Sequence, residues 1–192
     1  RLMHMLIFGL GYTAARLAAR LRAMGWTIDA TDSAGNLDFA DADAVRDALI
    51  KATHILSSVP PARTGEDPVL TAYGDALRGF DGWIGYLSST GVYGDAAGAW
   101  VDESAAVGLG RRSARSDADL AWQALSAKTR IFRIPGIYGP GRSALERVAE
   151  GRAHRIDLPD QVFSRCHVDD IGSGVIAALD GPPGVYNLAD DA

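Results

Sequence analysis

Short, wholly apolar runs alternate along this chain with stretches whose apolar residues recur every three or four positions. Residues 5–8 (Met-Leu-Ile-Phe) are the first such run, the pattern of a strand covered on both faces. Ala14, Leu17, Leu21 and Met24 follow at helical spacing and predict a helix over 12–24, stopped by Gly25. A second strand is expected over 26–31. Asp41 or Asp43 caps a helix over 44–51 whose inner face is Val45, Ala48 and Leu49. Residues 54–59 form a buried strand, and Pro68 opens a helix to residue 78. Strands over 83–87, 130–134 and 185–188 and helices over 113–126, 143–150 and 169–179 continue the alternation. Between them lie a polar, glycine-rich stretch (95–110), a basic segment (152–155) and a short extended piece (161–166). With no repeat and no low-complexity tract, this order predicts a doubly wound parallel sheet.

One segment breaks the rhythm. Residues 37–39 suggest a short strand, yet only about five residues separate them from the strand before, and a parallel crossover needs roughly a dozen. Either this link is not a helical crossover or residues are missing around 33–36; a missing, disordered loop is the expectation.

The first strand runs into Gly9 and Gly11 and then into an alanine-rich helix, the order of a phosphate-binding βα turn. Gly9 allows the tight turn, Gly11 lets backbone approach a pyrophosphate, and Ala14 takes the small third position of G-x-G-x-x-G/A. Free N–H groups and the positive end of the helix would face the phosphates. Asp32 ends the second strand about 20 residues later, where a dinucleotide fold places the acid that bonds an adenosine ribose; alternatively it only starts a turn with Ser33. The ribose role would favour NAD over NADP. Ser57-Ser58 followed by Pro60-Pro61 marks a strand mouth, where open α/β sheets bind ligands.

Bulk properties narrow the field further. The chain has 192 residues, 47% of them apolar and 22% charged, as expected of a single globular domain spanning 1–192. A formal net charge of -5 argues against a nucleic-acid partner. No stretch approaches the roughly 18 apolar residues of a membrane span, and no signal-peptide pattern is present. The lone Cys166 fits a cytoplasmic protein and is expected as a small buried hydrophobe rather than a nucleophile. No metal site is assigned.

Several separated stretches, in order, resemble the extended short-chain dehydrogenase/reductases, also called the NAD-dependent epimerase/dehydratases. They are the glycine turn, Leu87-Ser88-Ser89-Thr90-Gly91-Val92-Tyr93-Gly94, Arg133-Ile134-Pro135-Gly136-Ile137-Tyr138-Gly139-Pro140-Gly141, His167-Val168-Asp169-Asp170-Ile171, and Val185-Tyr186-Asn187-Leu188. The resemblance implies a Rossmann-like fold with a small C-terminal substrate lobe, its elements at about 141–166. It also implies a NAD or NADP cofactor held by Gly9, Leu10, Gly11, Tyr12, Thr13 and Ala14, with Asp38 and Phe39 flanking the adenine. Ser57, Ser58, Val59 and Ser88 would run under the cofactor, and Pro135, Gly136 and Ile137 would lie beside the nicotinamide. Ser89 matches the catalytic hydroxyl that polarises substrate, against a plainer role bonding backbone at a strand end. Val92, Tyr93 and the pair Asp169-Asp170 are expected to be structural.

The chain departs from the family where proton transfer is usually done. The Tyr-x-x-x-Lys pair is absent: aligning Ala118-Asp119 with the family's Ala-Glu puts Arg111 and Arg115 at those positions, and a guanidinium stays protonated near neutral pH. The resemblance is therefore to an atypical member. Arg111, Arg112 and Arg115 either clamp a carboxylate or phosphate or form a solvated basic face. Thr90, Arg142, Arg165 and His167 fall where the substrate lobe closes; His167 could titrate near neutral pH or be a satisfied structural histidine. Family members continue past the Tyr186-Asn187 strand, so the ending at Ala192 suggests a truncated chain and an incomplete pocket. Two functions are expected: an oxidoreductase or epimerase acting on a polar small molecule, or a non-catalytic dinucleotide sensor or scaffold. Family members often dimerise through a two-helix bundle, which the helix over 113–126 supports in part.

Overall fold

The computed structural model describes residues 2–108, 113–153 and 162–190. Six parallel strands form the main sheet in the order β2-β1-β3-β4-β5-β8: β1 (His4–Phe8), β2 (Thr27–Ala30), β3 (His54–Ser57), β4 (Trp83–Ser89), β5 (Thr129–Ile134) and β8 (Gly184–Asn187). A separate parallel pair joins β6 (Gly136–Tyr138) to β7 (Arg165–His167). The connecting helices are α1 (Tyr12–Ala23), α2 (Ala42–Lys51), α3 (Pro68–Arg78), α4 (Ser113–Leu125), α5 (Ala144–Ala149) and α6 (Val168–Ala177), with a 3-10 turn at Thr90–Tyr93. This is the doubly wound, Rossmann-like architecture expected from the alternation.

β1 shows why an unbroken apolar run marks a central strand. Met5 and Ile7 face a core shared with α1 and α6, whereas Leu6 and Phe8 face a second core shared with α2, α3 and α4. Successive side chains point to opposite faces, so a strand with helices on both sides has no polar position to spare. Asp41 caps α2 by accepting from Ala44 N (3.1 Å), and Asp67 caps α3 by accepting from Val69 N and Leu70 N (both 2.9 Å) with Pro68 in the first turn. α5 carries a complete capping box between Ser143 and Glu146. α1 is tied to α6 by Arg16, which donates twice to the Asp169 carboxylate (2.9 and 3.0 Å), and by Arg20, which donates to the Asp169 carbonyl (2.8 Å).

The link after β2 differs from the expected strand over 37–39. Residues 32–36 form a tight turn, with Gly35 N on the Asp32 carbonyl (2.9 Å). Asn36 holds it by accepting from Ala30 N (2.9 Å) and donating to Asp29 Oδ1 (2.7 Å). Leu37 then makes one parallel bridge to Thr31. The link is thus not a helical crossover, the first of the two alternatives: a short loop held by the side-chain bonds of Asn36 returns the chain to the edge of β2 for a single parallel bridge. α6 starts at Val168, one residue before the expected Asp169, because His167 supplies its cap.

Candidate functional site

Strand order reverses at β1, whose neighbours are β2 on one side and β3 on the other, and the carboxyl ends of these strands open the crevice where such sheets take ligands. The turn leaving β1 is pinned from both sides. Gly9 N donates to Thr31 Oγ1 (3.0 Å), Leu10 N to the Thr31 carbonyl (3.1 Å), and Ser58 Oγ to the Gly9 carbonyl. Gly9 has φ +83°, and a Cβ there would lie 2.9 Å from Ser58 Oγ and 3.0 Å from Val59 Cγ2, so this chain itself demands glycine.

Gly11 is different. Its φ of -77° is open to any residue, and a Cβ there would meet nothing within 4 Å. It is the N-cap of α1, with no side-chain cap and no acidic residue in the first turn. The space in front of it is faced by backbone N–H groups without intrahelical partners and by the positive end of a 12-residue helix. That arrangement fits a pyrophosphate. Tyr12 and Thr13 begin the helix on this rim, and Ala14 is buried in the core beneath it.

Around the turn, Asp32 is exposed with φ +100°, an uncommon conformation in which Ser33 N donates to Asp32 Oδ1 (2.6 Å). Asp38 accepts from Ala40 N (2.9 Å), and Phe39 packs edge-on against Phe8 and Tyr73. Ser57 is fully buried, its Oγ accepting from Val59 N (3.4 Å).

At the end of β4, Ser89 accepts from Gly91 N (3.1 Å) and caps the 3-10 turn that Thr90 begins, a bond that leaves its own O–H able to donate. Ser88 belongs to a buried polar network that the sequence pattern did not assign. Its hydroxyl donates to Asp119 Oδ2 (2.6 Å), and Arg133 donates to both Asp119 oxygens (3.1 and 2.9 Å) and to Tyr93 Oη (3.0 Å). Tyr93 in turn donates to Asn187 Oδ1 (2.7 Å). Burial would lower the Arg133 pKa, but its bonds to Asp119 and Tyr93 hold it above the ordinary arginine value. An arginine inside the apolar strand Ile131-Phe132-Arg133-Ile134 was the available signal, since a buried charge needs a partner. The Val92-Tyr93 pair is structural here, as expected, with Val92 buried.

Arg115 is half-buried near Tyr86. Burial drives the Tyr86 phenol far above the ordinary tyrosine value, with Asp67 adding to the rise and Arg115 opposing it, which disqualifies Tyr86 as a base. Arg111 lies outside the described residues. After β5, Gly136 N donates to the Ser164 carbonyl (3.2 Å), joining the Pro135-Gly136-Ile137 segment to the chain before β7. Arg142 lies over the Tyr12 ring (5.5 Å), brought to the glycine turn by the fold, whereas Arg165 is exposed beside Phe163 (5.9 Å). His167 Nδ1 accepts from Asp169 N (3.2 Å) and so caps α6. Cys166 is buried, and burial, with Asp190 nearby, pushes its thiol up to about 11, which leaves no thiolate for nucleophilic work at neutral pH.

The sheet order, the reversal at β1 and the glycine turn give this chain the fold of the extended short-chain dehydrogenase/reductases. Two solved structures of that fold cover nearly all of it. A UDP-glucose 4-epimerase from Thermus thermophilus, in complex with NAD, is 19% identical with a TM-score of 0.74, over 99% of this chain and 78% of that one. A dTDP-4-dehydrorhamnose reductase from Clostridium acetobutylicum is 20% identical with a TM-score of 0.77, over 99% and 75%. A functionally unknown conserved protein from Silicibacter pomeroyi is 39% identical with a TM-score of 0.84, over 99% and 73%, and the chain belongs to the same family as that protein. No family model and no curated protein matches the sequence. Among the described residues no helix is long and apolar enough to cross a membrane.

Proposed function

We propose that this chain binds a nicotinamide dinucleotide across the carboxyl ends of β1, β2 and β3 and acts as an oxidoreductase or epimerase on a polar small molecule. The observation that carries the reading is Gly11. Neither its backbone conformation nor its neighbours require glycine, yet it leaves open the space in front of the uncapped end of α1. The fold neighbour from Thermus thermophilus was solved with NAD. The charged side chains that follow β2, Asp32 and Asp38, are both acidic. An acid there suits a ribose hydroxyl better than a 2′-phosphate and favours NAD over NADP.

Bound there, the cofactor would supply hydride chemistry, and the chain's own part would be to orient substrate and hold a proton. Ser89, half-exposed at the end of β4, is the candidate for polarising a substrate hydroxyl or carbonyl, with the buried Asp119–Arg133 pair fixing the strand end beneath it. A non-catalytic sensor or scaffold is the second reading, favoured by α4, which carries no tyrosine and has Arg115 where the family's lysine would stand. Titration with NADH and NADPH, followed by nucleotide fluorescence, tests both readings. Tighter binding of NADH is expected, and binding of neither would sink both. Gly11→Val should abolish binding while the protein keeps its fold by circular dichroism; an unaffected titration would show that the turn serves the fold alone.

A further inference from the structure

We infer that Arg142, held over Tyr12 at the mouth of the glycine turn, is the side chain that brings positive charge to the diphosphate of a bound dinucleotide; the inference rests on the dinucleotide reading and extends it. The family resemblance had put Arg142 with the substrate. The fold instead fastens the loop that carries it onto the first turn of α1.

Two contacts fasten it, and the loop braces itself. Tyr12 Oη donates to the Pro140 carbonyl (2.8 Å). Gly139 is wedged so closely that a Cβ would lie 2.6 Å from Val168 Cγ1 and 2.7 Å from Tyr12 Oη. The loop closes on itself through Gly139 N to the Arg142 carbonyl (3.2 Å) and Arg142 N to the Gly139 carbonyl (2.9 Å). The guanidinium then rests 5.5 Å from the centre of the ring of Tyr12, the first residue of α1, a cation–π contact, and among the described residues no hydrogen bond occupies its N–H groups.

Among the described residues Arg142 has no ion-pair partner. The acid closest in sequence, Glu146, is occupied by Gly141 N (3.0 Å) and Ser143 N (2.8 Å), and those backbone bonds hold its carboxyl below the usual range. An exposed guanidinium with no ion-pair partner among the described residues, resting on the first residue of a helix whose uncapped first turn contains no acid, adds a second source of positive charge to that end of α1, which suits a doubly charged diphosphate better than a neutral ligand.

NADH titrations of the wild type, Arg142→Gln, Arg142→Lys and Arg147→Gln test the inference. At about 50 mM salt the glutamine variant should bind roughly tenfold more weakly, as expected for one lost charge-assisted contact. The lysine variant should recover part of that loss, and Arg147→Gln, an exposed arginine of the same lobe, should match the wild type. Raising salt to about 500 mM should weaken the wild type more than the glutamine variant, bringing the two together. Arg142 is exposed, so thermal melting of the variants should match the wild type. NADH binding by the wild type together with equal binding by Arg142→Gln at both salts would overturn the inference and leave the dinucleotide reading standing; no NADH binding by the wild type would overturn that reading itself.

Discussion

Two glycines two positions apart do different work, and mutation separates them. Gly9 is required by its own backbone and by Ser58 and Val59. Gly9→Ala should therefore cost about 1–3 kcal/mol in urea unfolding. Gly11→Ser should change stability by less than about 1 kcal/mol, since serine is a good N-cap. The same serine would place its oxygen in front of the helix N–H groups, so NADH binding should fall although the fold is undamaged. Equal loss of stability in both variants would count against assigning Gly11 to a ligand. The glycine spacing was legible in the sequence; the division of labour was not, because it depends on which atoms of β3 and the residues after it come to rest beside the turn.

At the scale of elements, the Asp119–Arg133 pair joins α4 to β5, and through Ser88, Tyr93 and Asn187 it reaches β4 and β8. Asp119→Ala leaves a buried guanidinium without its partner and should destabilise the protein by about 3–5 kcal/mol. The double variant Asp119→Leu with Arg133→Met should lose less than Asp119→Ala, since no charge is then stranded; chemical denaturation of both proteins measures the difference. Element types and most boundaries were legible because each apolar run and each cap acts within a few residues, as at Asp67, Pro68 and Ser143. The network was not, since its members lie on β4, the 3-10 turn, α4, β5 and β8 and only the tertiary fold makes them neighbours.

For the whole molecule, the amino ends of the strands hold an aromatic cluster in which His54 lies between Trp26 (4.6 Å) and Trp83 (5.8 Å). Burial, aided by Arg130, lowers the His54 pKa to about 4, from an ordinary histidine value of 6.5. The neutral ring is therefore the form that the fold accepts, and its contribution is complete above about pH 6.5 and lost as pH falls toward 4. The expected loss approaches about 3 kcal/mol over that window. Urea midpoints of the wild type and His54→Leu should diverge between about pH 7 and pH 4, with the wild type falling faster; parallel curves would show that His54 accepts a proton without penalty.

The sequence by itself determined the alternation of strands and helices, the doubly wound sheet, the caps and the glycine turn, because hydrophobic periodicity and capping are local and leave their mark within one element. Tertiary structure alone decided that residues 32–36 turn without a crossover, that Arg133 finds Asp119, and that Arg142 comes to rest on Tyr12 from the far half of the chain. Those pairings depend on sheet order and on where loops land, and a linear pattern of apolar and polar residues carries no distance between residues on different elements.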